Sequence, residues 1–226
     1  RHTRYISVTG VQTCALPISD RRLEAFAEAV AGQSLSSLEI VAVDYSGSRQ
    51  ASSLIRKQIG ALGAKLPNVA FQCVLAAEGA PLTRTTAVDT GVRAARSHVV
   101  ACVDIHNALP RDFALGAVNC FSRNDLGVVF PNLTDDVRSA LFAPVTGGLM
   151  FNPAGPFNLS FRELDFVVRK LAWLDCGGLQ VREALDGSDY SLKRLLVMMA
   201  HKAWRLASEN ILPCSPSREQ RRAEEP

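Results

Sequence analysis

Leu38-Glu39-Ile40-Val41-Ala42-Val43-Asp44 is the stretch whose reading decides the fold. It is a short apolar run rich in β-branched residues, too short for a helix, and it ends on a carboxylate. Ser46-Gly47-Ser48 makes a turn after it, and Gln50–Leu62 reads as a helix with Leu54, Ile55 and Ile59 on one face. The same unit recurs outward along the chain. Upstream, Ser19 or Asp20 can cap a helix in which Leu23, Phe26, Ala27 and Val30 recur at helical spacing. Downstream, Val69–Val74 is a second strand, Arg84–Ala95 a helix, and Val99–Val103 a third strand terminated by Asp104. Pro110 and Asp112 open another helix, and Gly127-Val128-Val129-Phe130 is a fourth strand. Strands alternating with helices predict an α/β fold, a mostly parallel sheet with helices on both faces.

Beyond Pro131 the pattern loosens through Gly147-Gly148 and Pro153–Pro156. Helices are expected near Ser160–Ala172 and Asp189–Ser208, and residues 214–226 form a charged tail expected to be disordered. In the last helix Leu192, Leu195, Leu196, Met199 and Ala203 form a stripe, with Lys193, Lys202 and Arg205 elsewhere on it. Such a stripe could lie on a membrane surface. A helix packed on its own core is the preferred reading.

Composition excludes several classes. The chain has 226 residues, 47% of them hydrophobic, enough for one domain with a sizeable core. The formal charge of +3 owes two units to Arg1 and Arg4, and with 7% aromatic residues there is no basic, aromatic-interleaved platform for nucleic acid. Cys14, Cys73, Cys102, Cys120, Cys176 and Cys214 show no C-x-x-C spacing, so reduced core thiols in a cytoplasmic setting are expected rather than a zinc site. No apolar run reaches the roughly 18 residues of a membrane span. No G-x-G-x-x-G stands at a strand-to-helix turn, which disfavours a Rossmann dehydrogenase.

The start of the chain stands apart. Val8-Thr9-Gly10-Val11-Gln12-Thr13-Cys14-Ala15-Leu16-Pro17-Ile18 resembles the conceptual translation of a short-read sequencing adapter. Residues 1–18 are therefore read as a non-native leader, and residues 19–213 as the domain. A strand is the competing reading, since Tyr5-Ile6-Ser7-Val8-Thr9 has strand composition.

In open α/β sheets ligands bind outside the carboxyl ends of the strands, where Asp44 and Asp104 fall. Asp104-Ile105-His106 puts a carboxylate and an imidazole on one side of an extended segment, able to share a divalent cation. Oxygen ligands suit magnesium, and an imidazole tilts the choice to manganese. A loop histidine bonded to nearby backbone fits the spacing equally well.

Taken together, Leu38–Ser48 is similar to the E-I-I-V-V-D-D-G-S segment of family 2 glycosyltransferases, and Thr83–Ala95 to that family's R-x-x-x-x-N-x-G-x-x-x-A helix. Val99–His106 occupies the place of the D-x-D metal motif, in the D-x-H form found in polypeptide N-acetylgalactosaminyltransferases. Asp186–Leu195 resembles the later G-x-E-D-x-x-L-x-x-R motif. The resemblance covers most of Leu23–Leu196 in the family's order. It implies a GT-A type fold whose first strand is missing upstream of Leu23, leaving open ladders and a chain that is poorly soluble or inactive. It departs from the pattern at Tyr45, Asp89 and Ser188, where Asp, Asn and Glu are usual.

By that resemblance the chain transfers sugar from a nucleotide diphosphate sugar, with a UDP-sugar favoured, to a hydroxyl of a glycan, lipid-linked or protein acceptor. Asp104 and His106 would hold Mn2+ or Mg2+. Asp44, Arg84 and Asp89 would serve the donor, and Asp189 would be the catalytic base. From the residues alone, Arg84 also reads as a solvated first-turn residue and Asp189 as a helix N-cap. Competing functions are a non-catalytic GT-A-like binding module and a nucleotidyltransferase of related architecture. The expected location is cytoplasmic, with peripheral membrane association left open.

Overall fold

The computed structural model describes residues 8–14, 20–44, 49–75, 83–103, 109–131, 142–145, 148–151, 165–179 and 191–209. Among these, one seven-stranded sheet carries the fold. Its strands are β1 (Val8–Cys14), β2 (Leu38–Asp44), β3 (Val69–Leu75), β4 (Val99–Cys102), β5 (Leu126–Pro131), β8 (Phe166–Arg169) and β9 (Arg205–Glu209), in the order β3-β2-β1-β4-β8-β5-β9. β8 runs antiparallel to both its neighbours, and the other strands share one direction. A separate antiparallel pair joins β6 (Phe142–Val145) to β7 (Gly148–Phe151).

Alternation along the strands builds two cores. Val41, Val43, Val100, Cys102, Val128, Phe130, Phe166 and Val168 face one side. Helices α3 (Arg84–Ala94), α5 (Lys170–Asp175) and α6 (Ser191–His201) cover them there. Ile40, Ala42, Val99, Ala101, Val129 and Val167 face the other side, under α1 (Asp20–Ala31), α2 (Arg49–Lys65) and α4 (Phe113–Cys120). Because both faces are buried, the strands read as continuous apolar runs rather than alternating ones.

The expected α1, β2, β3, α3, β4 and β5 are present within a residue or two of their anticipated limits. Several expectations need correction. Leu54 does not share the buried face of α2; it is 56% exposed, and Leu62 packs beside Ile59 instead. Residues 166–169, expected in a helix, form β8, because Phe166, Val167 and Val168 are sealed between β4 and β5. The last helix stops at His201 rather than Ser208, since Ala203 turns left-handed at φ 61° and the Trp204 amide donates to the Met199 carbonyl. The chain then enters β9. The stripe Leu192, Leu195, Leu196 and Met199 is buried, which settles that face of α6 on the core.

The first-strand position is also not empty. Val8–Cys14, the segment read as foreign, lies between β2 and β4, pairing Val8 with Leu38 and Val99, and Cys14 with Asp44. The two open ladders expected there are therefore closed. Main-chain pairing of this kind makes modest demands on side chains, so a strand-like segment can fill the place.

Candidate active site

The strand order reverses between β1 and β4. β2 and β3 extend to one side of β1, and β4 begins the other side. In open α/β sheets ligands bind at such a switch point, outside the carboxyl ends of the strands. Asp44 closes β2 at that end, three residues beyond Val41, which shares its level with Val11 and Cys102. Two strand spacings, about 10 Å, separate β2 from β4 across β1.

Asp44 is 3% exposed, and its carboxylate accepts a hydrogen bond from the Ser52 hydroxyl on the first turns of α2. Cys73 on β3 lies nearby. Burial pushes its thiol up, with Arg56 pulling the other way and the Asp44 charge adding to the rise. Arg84 opens α3, whose N-cap Thr83 accepts from the Thr86 amide at 3.2 Å. The helices that return the chain to a parallel strand begin at the carboxyl end of the sheet. The starts of α2, α3 and α6 therefore gather there, with their positive dipole ends.

Asp104 and His106 come two and four residues after β4 in the sequence but lie outside the described residues, as does Asp189, two residues before α6. No group of three or more metal-ligating side chains occurs among the described residues. As a donor set, a carboxylate and an imidazole suit Mn2+ or Mg2+ when phosphate oxygens complete the shell.

Asp89, anticipated with the donor ligands, is engaged elsewhere. Its Oδ1 accepts from Trp173 Nε1 at 2.7 Å and from the Leu179 amide at 2.9 Å, and its Oδ2 from Arg93 Nε at 2.6 Å. Arg93 Nη2 also donates to the Gly177 carbonyl at 2.8 Å. Gly178 sits in this cluster at φ 71°, and a Cβ there would lie 2.2 Å from Asp89 Oδ1. Only glycine fits. Sequence reasoning missed this cluster; Gly177-Gly178 before Leu179 was its one visible sign.

No family model matches the sequence, and no curated protein matches it either. Solved structures do. A mannosyltransferase from Pyrobaculum calidifontis, in complex with GDP-Man and Mn2+, superposes with a TM-score of 0.61 at 18% identity, over 90% of this chain and 54% of that one.

The fold is of the GT-A type.

S. aureus TarS 1-349 in complex with UDP gives a TM-score of 0.57 at 13% identity, over 91% of this chain and 58% of that one. Glucosyl-3-phosphoglycerate synthase from Mycobacterium tuberculosis, with Mg2+ and UDP, gives 0.52 at 13% identity, over 98% and 74%. The chain thus spans little more than half the length of the first two. The GT-A expectation for the architecture holds, down to helices on both faces of a largely parallel sheet.

Cys73, Cys102, Cys120 and Cys176 are in no disulfide. No described helix is long and apolar enough to cross a membrane.

Proposed function

We propose that the chain is the donor-binding part of a glycosyltransferase that moves a sugar from a nucleotide diphosphate sugar to a hydroxyl acceptor. One observation supports the reading most: buried Asp44 stands at the carboxyl end of β2, beside the switch point of the sheet, and Asp104 and His106 come shortly after β4 in the sequence. Asp44, steadied by Ser52, is given the ribose or base, and Arg84 a phosphate. The starts of α2 and α3 add favourable potential for an anion. Asp104 and His106 are given Mn2+ or Mg2+, which when bound neutralises charge on the leaving diphosphate. Asp189 is given the proton of the acceptor hydroxyl, a role worth about 100- to 10,000-fold in rate.

A UDP-sugar remains the favoured donor, and a glycan, lipid-linked or protein hydroxyl the acceptor. A cytoplasmic location goes with reduced thiols. Residues 1–18 are kept as a proposed non-native leader, which a genomic read across Ser19 tests. For the function, titration of UDP with and without Mn2+, followed by a transfer assay over UDP-sugars, is the direct experiment. Metal-dependent UDP binding with sugar release supports transfer. Tyr45, His106 and Ser188 stand where acidic residues are usual in the resembling family, and this favours a non-catalytic binding module as the second reading. That module would show no metal-dependent UDP binding.

A further inference from the structure

An edge strand presents a row of main-chain donors and acceptors without partners, and proteins usually guard it with charge, proline or a bulge. The two edges of this sheet differ in that respect. β9 opens on Arg205 and ends on Glu209, and β7 lies against it. β3 reads Val69-Ala70-Phe71-Gln72-Cys73-Val74-Leu75, with no charge and no proline, and its register with β2 is unbroken. No strand pairs with its outer side among the described residues. At about 3.4 Å per residue, that edge is about 24 Å of open ladder.

Gln72 is the middle residue of β3. Its Oε1 is buried and has no hydrogen-bond partner among the described residues, which is costly for an acceptor. It lies beside Val41 on the face covered by α3, whereas Phe71 and Cys73 lie on the face covered by α2. Where α2 passes Gln72, it is glycine. A Cβ on Gly63 would lie 3.7 Å from the Phe71 ring. Gly60, on the same helix face and about 4.5 Å nearer the carboxyl end, comes level with Gln72. It is exposed, and a Cβ there would meet nothing within 4 Å.

We propose that β3 is a self-pairing edge: two copies of the chain join β3 to β3, antiparallel, about a two-fold axis at Gln72. In that register Val69 stands opposite Leu75, Ala70 opposite Val74, Phe71 opposite Cys73 and Gln72 opposite itself. Every residue of the strand is paired, and no charge meets a like charge. Opposed Cβ atoms lie about 4.5–5.5 Å apart, and two carboxamides can exchange N–H···O bonds, so each Gln72 oxygen gains a donor. The axis is perpendicular to the sheet, so both α2 helices fall on one face and run side by side. Gly60 lets them approach to about 8–10 Å, the spacing of packed helices. The carboxyl ends of the two sheets point in opposite directions, and the pairing is independent of the glycosyl-transfer reading. One short ladder and one helix contact are small beside the roughly 1,600 Å² of a standard interface, so the dimer is weak and concentration-dependent.

Sedimentation velocity of the full chain, from about 5 to about 500 μM, tests this class of association. Wild type should pass from monomer to dimer across that range, with no larger species. Ala70→Lys places the charge of a guarded edge at an exposed position, and should weaken the dimer about tenfold or more with Tm unchanged. Gly60→Gln should raise Tm, because a helix interior prefers a side chain, and yet weaken the dimer similarly. Loss of dimer without loss of stability separates the interface from the fold. In a Cys73→Ser background, Gln72→Cys should form a disulfide-linked dimer on mild oxidation. Ala70→Cys, about 14 Å from its counterpart, should not. A protein monomeric throughout, or a dimer indifferent to both Ala70→Lys and Gly60→Gln, would overturn the proposal. So would a dimer that Gln72→Cys fails to cross-link, or growth beyond the dimer, since a two-fold pairing closes.

Discussion

The two ends of the sheet use their charges differently. At the amino end the helices finish, and their last carbonyls need donors. Lys170 Nζ supplies Arg93 and Ala95 of the α3 terminus at 2.7 and 2.5 Å. Arg169 supplies Phe121, Arg123 and Leu126, spanning the end of α4 and the start of β5, and lies over the Phe121 ring at 5.5 Å. Burial lowers the pKa of that guanidinium from its usual value. Glu39 takes the Arg96 amide at 3.0 Å. Asp175 takes Lys202 and Trp204, each at 3.0 Å.

At the carboxyl end the helices that lead into parallel strands begin, and buried Asp44 stands beside the switch point. Charge at the amino end is consumed in closing the fold. Charge at the carboxyl end lies where a cation and a diphosphate could balance it. A groove lined by Ser36, Glu39, Asn68 and Arg96 belongs to the amino end and has no part in this reading.

Substitutions can break or sharpen that contrast. The largest expected effect is at the carboxyl end: Asp189→Asn should lower kcat by about 100- to 10,000-fold with UDP binding intact. Turnover left whole would remove Asp189 from its role. Trp173→Ala, in the core between the two ends, should cost about 3–5 kcal/mol in a urea titration. Arg169→Met should cost about 1–3 kcal/mol by leaving carbonyls without a donor, and should leave metal-dependent UDP binding alone. If UDP binding fell instead, the division of labour between the ends would fail. Ala203→Gly should stabilise by about 1 kcal/mol, since the left-handed backbone there disfavours a side chain.

The smallest effect is one of pH. The Trp204 indole and Lys202 hold the Asp175 carboxyl below its ordinary value of 3.8. Its contribution is therefore present above that value and is lost as the pH falls through the folded pKa. Asp175→Asn should flatten the acid limb of stability below about pH 4 and change nothing near neutrality. An unaltered acid limb would mean that the pairing adds no pH-dependent stability.

How much of this was legible follows from where the signals reside. β2, β4 and β5 could be read because burial on both faces demands apolar runs that stand out from their flanks. β8 could not: Phe166–Arg169 passes into α5 without an intervening turn, and Phe-Val-Val-Arg-Lys-Leu-Ala-Trp-Leu scans as one helix. β9 is a strand because β5 offers it a ladder, since Arg-Leu-Ala-Ser-Glu has no strand composition of its own. The turn before it uses Ala203 where sequence would advertise a glycine. Of the site, Asp44 was visible as the end of a strand. Asp89 was visible as a polar residue on a helix, but its partners lie so far along the chain that only the packed structure assigns them.

The central claim is that the carboxyl end of the sheet binds a nucleotide diphosphate through a cation. Calorimetric titration of UDP into the protein, with Mn2+ and with chelator, tests it most directly, using Asp104→Asn and Arg169→Met alongside wild type. Binding that requires Mn2+, is lost in Asp104→Asn and survives in Arg169→Met is the expected result. Binding indifferent to metal and to Asp104, or absent from the wild type, would contradict the claim.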